Sequence, residues 1–331
     1  MSTSNRTKLT NLVSKLPEEA VNNLYEAAQR LFAALAQPDK PDCPYCGSAA
    51  IVKNGHKCRK QEYRCKCCGK TFVSTTNTLM NGSHQSSEVW EEVIQDTFNG
   101  DAIDYTAIRL GLSHDCVFHM RHKVLLALET LKAEEPVVLD DVAELDETFV
   151  LDCYKGKSIP QEAGRPARKH GAKAEKRGIS NEYVCICAGV QRQGDAIAKT
   201  VNRAKPSCEE LEAVFDGHIS NETLVLCDGL RGYSSLEGST GCVVKNVNLE
   251  KQGSFYHLNN VNSFHSFIKQ RYHFYKGVAT KYLNRYNMLF SLAYKGAAKA
   301  TEMVREKFLT VTAANRHISC KDVGTLGLLQ L

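Results

Sequence analysis

Two CxxC pairs near the start of the sequence constrain its fold more than any other feature. The pairs are Cys43 with Cys46 and Cys65 with Cys68. Four thiolates at this spacing can converge tetrahedrally on one zinc ion, and a glycine after each pair relieves the tight turn. A segment of about 30 residues cannot easily build a core without such a metal. We therefore predict a zinc ribbon over residues 41–75. The alternatives are unmetallated cysteines in a small core, or Cys67 in place of one ligand.

Length and charge limit the fold classes and the partners that remain possible. With 331 residues the chain exceeds the size at which one hydrophobic core usually stops growing, so a multidomain fold is expected. Its formal net charge of +5 is mildly basic, which permits a nucleic-acid partner without requiring one. The sequence has neither a secretory signal pattern nor an apolar run of the length that a membrane span needs. We therefore predict a cytoplasmic protein with no membrane partner.

Periodicity and turn signals divide the chain into five predicted regions. Residues 17–36 place apolar side chains on one stripe after a proline and two acids, which predicts a helix. Beyond Pro136 the sequence becomes β-rich with interspersed helical patterns, which predicts a mixed sheet flanked by helices. The predicted regions are a helical segment at 1–40, the zinc ribbon at 41–75, a helix-turn-helix DNA-binding region at 85–135, an α/β domain at 138–310 and a C-terminal tail at 311–331.

The predicted helix-turn-helix lies in "AIDYTAIRLGLSHDCVFHMRHKVLLAL", where "GLS" separates two helices and Ser113 is a suitable N-cap. The second helix of such a motif can enter the major groove of DNA, although any two packed helices can show the same pattern. Basic residues around the CxxC pairs favour the DNA-binding interpretation. The candidate DNA-contacting residues on the second helix are His114, His119, Arg121, His122 and Lys123.

Two further segments are rich in cations. A loop that contacts DNA is predicted in "KGKSIPQEAGRPARKHGAKAEKRG", with a solvated loop as the alternative; its candidate DNA-binding residues are Arg165, Arg168 and Lys169. Cations and aromatic side chains alternate in "RYHFYKGVATKYLNRYNMLF", and such residues can neutralise phosphates and stack on unpaired bases. The same pattern also fits a core helix whose cations reach towards the surface.

Carboxylates interrupt two predicted strands. Asp146 and Glu147 lie within the apolar "VAELDETFV", and Asp228 follows the apolar "TLVLC" just before a glycine. A carboxylate on a central strand is costly to bury unless it has a cation or a donor. Two aspartates from separate strands suit phosphoryl transfer by two divalent ions, which takes oxygen ligands from separate elements. Taken alone, Asp228 also fits a turn residue that ends a strand.

A polar helix face follows in "HLNNVNSFHSFIKQ". At 3.6 residues per turn, one face is apolar, with Val261, Phe264 and Ile268, and another is polar, with Asn262, His265 and Lys269. The polar face either borders the metal site or belongs to a solvated amphipathic helix.

The order of these motifs over roughly residues 40–310 resembles insertion-sequence transposases with an N-terminal zinc ribbon, a helix-turn-helix and a ribonuclease H-like DDE catalytic domain. The resemblance implies that Asp146 and Asp228 are the first two catalytic carboxylates. The third position, glutamate in most such enzymes, falls on Asn262, and Lys269 follows seven residues later, so the pattern is D-D-N-K.

The resemblance also implies the cofactors and partners. The cofactors are a structural Zn²⁺ on the four cysteines and catalytic Mg²⁺ or Mn²⁺ on Asp146, Asp228 and Asn262. The partner is double-stranded DNA, both the terminal inverted repeats of an insertion sequence and the target, bound by a homo-oligomer that performs metal-dependent cleavage and strand transfer. If the helix is aligned one turn differently, Glu147, Asn259 or His265 replaces Asn262. Two other functions compete: a non-catalytic DNA-binding regulator or inactive derivative, and a structure-selective nuclease.

Overall fold

The computed structural model describes residues 41–57, 60–134, 137–156, 159, 174–229, 231–249, 255–305 and 318–329. The chain divides into two compact units, Met1–Ser74 and Thr75–Leu331. The predicted N-terminal segment at 1–40, with its helix at 17–36, lies outside the described residues, and so do 311–317 and 330–331 of the predicted tail at 311–331.

The described part of the first unit is a three-stranded antiparallel sheet. Its strands are β1 (Ile51–Lys57), β2 (Lys60–Cys65) and β3 (Thr71–Val73), in the order β1-β2-β3. Tyr63 pairs with Phe72 across β2 and β3, and their rings stack with centroids 5.7 Å apart. The buried cluster here consists of Cys43, Ile51, Tyr63, Cys65 and Phe72. Two of these five residues are predicted metal ligands, so the apolar core alone is too small to hold the fold.

Three helices open the second unit: α1 (Ser87–Asn99), α2 (Ile103–Leu110) and α3 (His114–Glu134). Gly111, in the left-handed conformation at φ 65°, ends α2. The Ser113 hydroxyl accepts a hydrogen bond from the backbone N–H of Cys116 at 3.2 Å, so α3 begins with the predicted cap. The helix, short turn and second helix predicted from the sequence are therefore present.

A mixed five-stranded sheet forms the centre of this unit, as the sequence predicted. The strands are β4 (Val142–Leu151), β5 (Tyr183–Gln191), β6 (Ala196–Arg203), β7 (Leu224–Cys227) and β8 (Val243–Asn246). They lie in the order β6-β5-β4-β7-β8. Strand β5 is antiparallel to both of its neighbours, β4 and β6, whereas β7 and β8 run parallel to β4.

Helices cover both faces of the sheet. The later helices are α4 (Cys208–Phe215), α5 (Ser235–Thr240), α6 (Asn259–Phe274), α7 (Leu283–Arg305) and α8 (Cys320–Thr325). Residues of α4 and α5 share one apolar core with one side of the sheet, and residues of α1, α3, α6 and α7 share another core with the other side. No helix in the described part of the chain is both long enough and apolar enough to cross a membrane.

The predicted helix-turn-helix region is not separate from the sheet, which differs from the domain division expected at 85–135 and 138–310. Trp90 and Ile94 of α1 lie in the same buried cluster as Ile186 of β5 and Phe264 of α6. Five consecutive residues of α3 are buried: Val124, Leu125, Leu126, Ala127 and Leu128. This central part of α3 therefore belongs to the core of the unit, whereas His114 and Asp115 in its first turn are exposed.

Candidate active site and metal centres

The four predicted zinc ligands converge in the first unit. Cys43 lies 3.6 Å from Cys68, and Cys46 lies 3.6 Å from Cys65, measured between sulfur atoms. A tetrahedral zinc ion with bonds of about 2.3 Å would hold its sulfurs about 3.8 Å apart. The four sulfur atoms all lie within 4.8 Å of one another. The cluster therefore has the size of a zinc site.

Local backbone geometry shapes this cluster. Gly47 and Gly69 take left-handed conformations with φ of 69° and 71°. Their N–H groups donate to the carbonyls of Cys43 and Cys65 at 2.8 and 3.0 Å, which closes the turn after each CxxC pair. The spare Cys67 is exposed, and its sulfur lies 3.1 Å from the Ser48 hydroxyl. Cys67 is therefore directed away from the four-sulfur cluster.

In the second unit, strand register brings the two predicted aspartates to the same level of the sheet. Glu144 of β4 lies opposite Leu226 of the parallel neighbour β7. Asp146 and Asp228 each lie two residues beyond that pair, so they end up side by side. Glu147 joins them: one oxygen from each of Asp146, Glu147 and Asp228 lies within 4.8 Å of the others. Three carboxylates on adjacent strands thus form one cluster.

The turn after β7 fixes the position of Asp228. Gly229 has φ of 96°, and a Cβ at this position would overlap the side-chain amide of Asn246, so glycine is required. Asn248 donates its amide N–H to the Asp228 carbonyl at 2.6 Å. Asp228 itself is exposed at the end of the strand, which is the edge where α/β sheets usually place their sites.

The electrostatics of the cluster favour a cation. Burial raises the pKa of Asp146 to about 6, and the negative charge of Asp228 adds to this effect while Lys269 opposes it. Burial raises the pKa of Glu147 to about 7; the nearby Tyr233 hydroxyl opposes this effect, and the charges of Asp146 and Asp228 add to it. The Glu147 Oε1 atom is buried and finds no hydrogen-bond partner among the residues that the structure describes. A divalent ion would both pair with that oxygen and offset the repulsion among the carboxylates.

Helix α6 places its polar face beside Asp146. His265 is buried with its Nδ1 atom 3.8 Å from Asp146 Oδ2, and burial together with the charge of Lys269 lowers the pKa of His265 to about 4. Asn262 and Lys269 are exposed on the same helix. Asn262 lies three residues before His265, so it shares the face that borders Asp146.

Glu144 holds α6 in place, and sequence reasoning missed it. This carboxylate is fully buried and accepts hydrogen bonds from the backbone N–H groups of Asn260 and Val261 at 2.8 and 3.1 Å. It therefore caps α6, whose own N-cap residue Leu258 provides no side-chain cap. Arg192 donates its Nε–H to the same carboxylate at 2.9 Å. The "ELD" spacing was the available signal, because residues two apart on a strand share a face.

Most predicted DNA-contacting residues of α3 do not face solvent, which differs from the expectation for a recognition helix. His114 is exposed and His119 is half-buried, but Arg121, His122 and Lys123 are buried. Arg285 donates to His122 Nδ1 at 2.9 Å, and burial, reinforced by the charge of Arg285, lowers the pKa of His122 to about 2, so this ring is neutral. The other predicted contacts, Arg165, Arg168 and Lys169, lie outside the described residues.

Comparisons with known proteins agree with the motifs. Residues 138–292, just under half of the chain, match the ISXO2-like transposase domain family. The chain is 24% identical over 271 residues to the "Uncharacterized protein in transposable element ISH50" of Halobacterium salinarum, covering 80% of this chain and 89% of that protein.

Two solved structures of Mos1 complexes show weak likeness. A pre-cleavage Mos1 transpososome covers 73% of this chain and 78% of its own, with 12% identity and a TM-score of 0.26. The Mos1 strand transfer complex covers 92% and 89%, with 11% identity and a TM-score of 0.27. At TM-scores this low, the structural similarity supports no conclusion about function. The resemblance to insertion-sequence DDE transposases predicted from the motifs is confirmed by the match of residues 138–292 to the ISXO2-like transposase domain and by the relative from a transposable element.

Proposed function

We propose that this protein is a DNA transposase that binds the terminal inverted repeats of an insertion sequence, cleaves a phosphodiester at each 3′ end and joins the freed 3′-hydroxyl to target DNA. One observation carries the proposal: Asp146, Glu147 and Asp228 converge inside the segment that matches a transposase domain. The mixed sheet with its carboxylates on adjacent parallel strands supports a ribonuclease H-like catalytic domain. A cytoplasmic homo-oligomer bound to paired DNA ends is part of the same proposal.

The residues present fit divalent metal ions. The donor set consists of hard carboxylate oxygens, which Mg²⁺ and Mn²⁺ prefer, and Glu147 has a buried oxygen without a partner in the described part of the chain. Asp146 and Asp228 would hold the ions, with Glu147 or the amide oxygen of Asn262 as a further ligand. When bound, two such ions supply activation of the attacking oxygen and stabilisation of the leaving oxygen.

The protein's own side chains have separate tasks at this site. Lys269 places a positive charge beside Asp146, where it can offset negative charge on a phosphate. His265 is buried and neutral against Asp146, so it fixes the spacing between α6 and β4 without adding charge. In the first unit, the four cysteines would hold one zinc ion, and the basic residues around them would contact DNA phosphates.

A cleavage and strand-transfer assay tests the proposal. The full-length protein is incubated with magnesium and oligonucleotides that carry the inverted repeats flanking its gene, together with a supercoiled target plasmid. A transposase yields both cleaved ends and joined products. A DNA-binding regulator yields neither and would overturn the catalytic proposal, whereas cleavage without joining would identify a nuclease.

Replacing Asn262 with alanine is expected to reduce the cleavage rate towards that of variants in which Asp146 or Asp228 is replaced by asparagine, because its amide oxygen completes the proposed metal site. Asn262→Glu is expected to keep activity and lower the magnesium concentration needed for half-maximal rate, because an ionised oxygen binds Mg²⁺ more strongly than an amide oxygen. The measurement is the cleavage rate against magnesium concentration for the wild type and both variants.

The matched control for Asn262 is Ser263→Ala, an exposed neighbour on the same helical turn. A surface substitution of this kind usually costs less than about 0.5 kcal/mol, so its rate should equal that of the wild type. A wild-type rate in Asn262→Ala would exclude Asn262 from the site and assign the third ligand to Glu147, which already lies with both aspartates.

A further inference from the structure

A second candidate site lies in the second unit, away from the carboxylates. A cavity of about 230 Å³ opens between the helix-turn-helix and the segment that follows α6. Its lining includes Ile103 of α2, Phe118 of α3 and Val278 beyond α6. Asn262 lies near the start of α6, whereas Tyr275 follows its last residue, so the cavity is about 20 Å from the proposed metal ligands along the helix.

The charges around this cavity are mostly positive. Its lining holds four cations, Arg121, Lys155, Lys276 and Lys281, and one carboxylate, Asp104. Lys155 and Lys276 are exposed at the rim, and Lys281 is half-buried. This local excess of positive charge favours an anionic ligand.

Arg121 is the buried cation of this cavity. It is fully buried, and its Nε and Nη2 atoms find no hydrogen-bond partner among the described residues. Asp101 and the Tyr286 hydroxyl interact with the guanidinium, which leaves these two donors unused. A buried charge with unpaired donors is destabilising, and an anion in the cavity would offset that cost.

Aromatic rings form the wall behind the cations. Tyr275 and Tyr282 are buried and line the cavity. The Arg121 guanidinium lies 5.2 Å from the centre of the Tyr275 ring, and the Lys281 ammonium lies 4.6 Å from the centre of the Tyr282 ring. These cations lie over the tyrosine rings, and cations held on aromatic rings in this way can also make cation–π contacts with a nucleobase.

The backbone turn after α6 holds Lys276 in place at the rim of the cavity. Lys276 has φ of 56°, a left-handed conformation that non-glycine residues rarely adopt. The Lys155 ammonium donates to the carbonyls of Lys276 and Gly277 at 3.3 and 3.4 Å, which holds this turn in place. Many helices end with one residue in this conformation, and here it follows the C-cap Tyr275 of α6 and sets the position of Lys276 at the rim.

We propose that this cavity binds one nucleotide of an unpaired DNA strand, with its phosphate on the rim lysines and its base against the tyrosine wall. The assignment to DNA rests on the proposed transposase function; the chemistry recognised is a nucleotide phosphate with an aromatic base. The cationic and aromatic pattern in "RYHFYKGVATKYLNRYNMLF" divides accordingly. Arg285 and Tyr272 belong to the core alone, whereas Lys276, Lys281, Tyr275, Tyr282 and Tyr286 line the cavity.

Fluorescence anisotropy of the full-length protein tests this site. The probes are a labelled 12-nucleotide single strand and the blunt duplex of the same sequence, and the readout needs no cleavage. The double variant Lys276→Gln/Lys281→Gln is expected to bind the single strand about tenfold more weakly, as when a charge-assisted hydrogen bond is removed. The slope of log Kd against log salt should fall by about 0.7 for each phosphate that the variant no longer neutralises. Duplex binding should change little.

The matched control is Lys199→Gln, which removes one exposed lysine beside α4 on the other face of the sheet. It should bind the strand as the wild type does, and thermal melting should show that all variants are folded. Equal single-strand binding by the wild type and the double variant would overturn the proposal.

Competition with deoxyadenosine monophosphate distinguishes a site for a nucleotide within a DNA strand from a site for a free nucleotide. Displacement of the strand by this mononucleotide, weakened in the double variant, would keep the site and assign it to free nucleotides. If the strand binds through this cavity but the protein has no cleavage activity, the proposed transposase function is overturned and the nucleotide site is retained. Failure of the site and failure of the proposed function are therefore distinguishable.

Discussion

Asp146→Asn and Asp228→Asn are each expected to reduce DNA cleavage by about a thousandfold or more, because each removes a charge that binds a divalent ion worth several kcal/mol of transition-state stabilisation. Binding to DNA ends should change little, since neither substitution touches the four-cysteine unit. Cleavage and gel-shift assays on the same preparations measure both quantities.

Stability distinguishes this result from simple misfolding. Asp146 lies against Glu147 and Asp228, so removing one negative charge relieves repulsion in metal-free buffer. The thermal midpoint of either variant should therefore equal or exceed that of the wild type. Asp216→Asn is the matched control, because it removes an exposed carboxylate at the end of α4 and should leave cleavage unchanged. Cleavage that persists in Asp146→Asn or Asp228→Asn would place the active site elsewhere.

Cys65→Ser is expected to abolish zinc binding and unfold the first unit. Structural zinc sites of this kind contribute roughly 10–16 kcal/mol of apparent binding energy to folding, and the buried cluster of this unit has only five residues, Cys65 included. The second unit should stay folded, because it is compact in its own right. Zinc analysis of the purified wild type should give one ion per chain, and binding to DNA ends should weaken in the variant.

The neighbouring Cys67→Ser supplies the control for this experiment. Cys67 is exposed and contacts Ser48 rather than the other thiols. Its substitution should therefore leave both zinc content and DNA binding unchanged. One zinc per chain in Cys65→Ser would reject the four-cysteine assignment, and loss of zinc in Cys67→Ser would assign Cys67 as a ligand.

The parts that the sequence predicted well depend on local rules. The spacing of Cys43, Cys46, Cys65 and Cys68 is enough to expect a cluster, because ligands three apart on a tight turn meet at one point. Asp228 was recognisable because an apolar strand stops there and a glycine turn begins. The mixed sheet followed from the alternation of strand and helix patterns.

The parts that the sequence did not predict depend on packing between distant segments. Arg121 and His122 were predicted to contact DNA from the second helix of the helix-turn-helix, but apolar neighbours enclose this part of α3, and the charge of Arg285 lies beside His122. Glu147 was only an alternative ligand, because its approach to Asp146 and Asp228 depends on the register between β4 and β7. A spacing rule that applies within one segment cannot predict the register between two strands.

Glu144 and Asp146 differ by two positions on one strand, and their surroundings give them opposite chemistry. Arg192, the Asn260 side chain and two backbone N–H groups occupy the oxygens of Glu144, so this carboxylate has no lone pairs left for a metal ion. Asp146 accepts fewer hydrogen bonds, so its oxygens remain available to bind a metal ion. Strand β4 therefore carries one carboxylate whose lone pairs are used in the fold and, two residues later, one that can still bind the proposed metal ions.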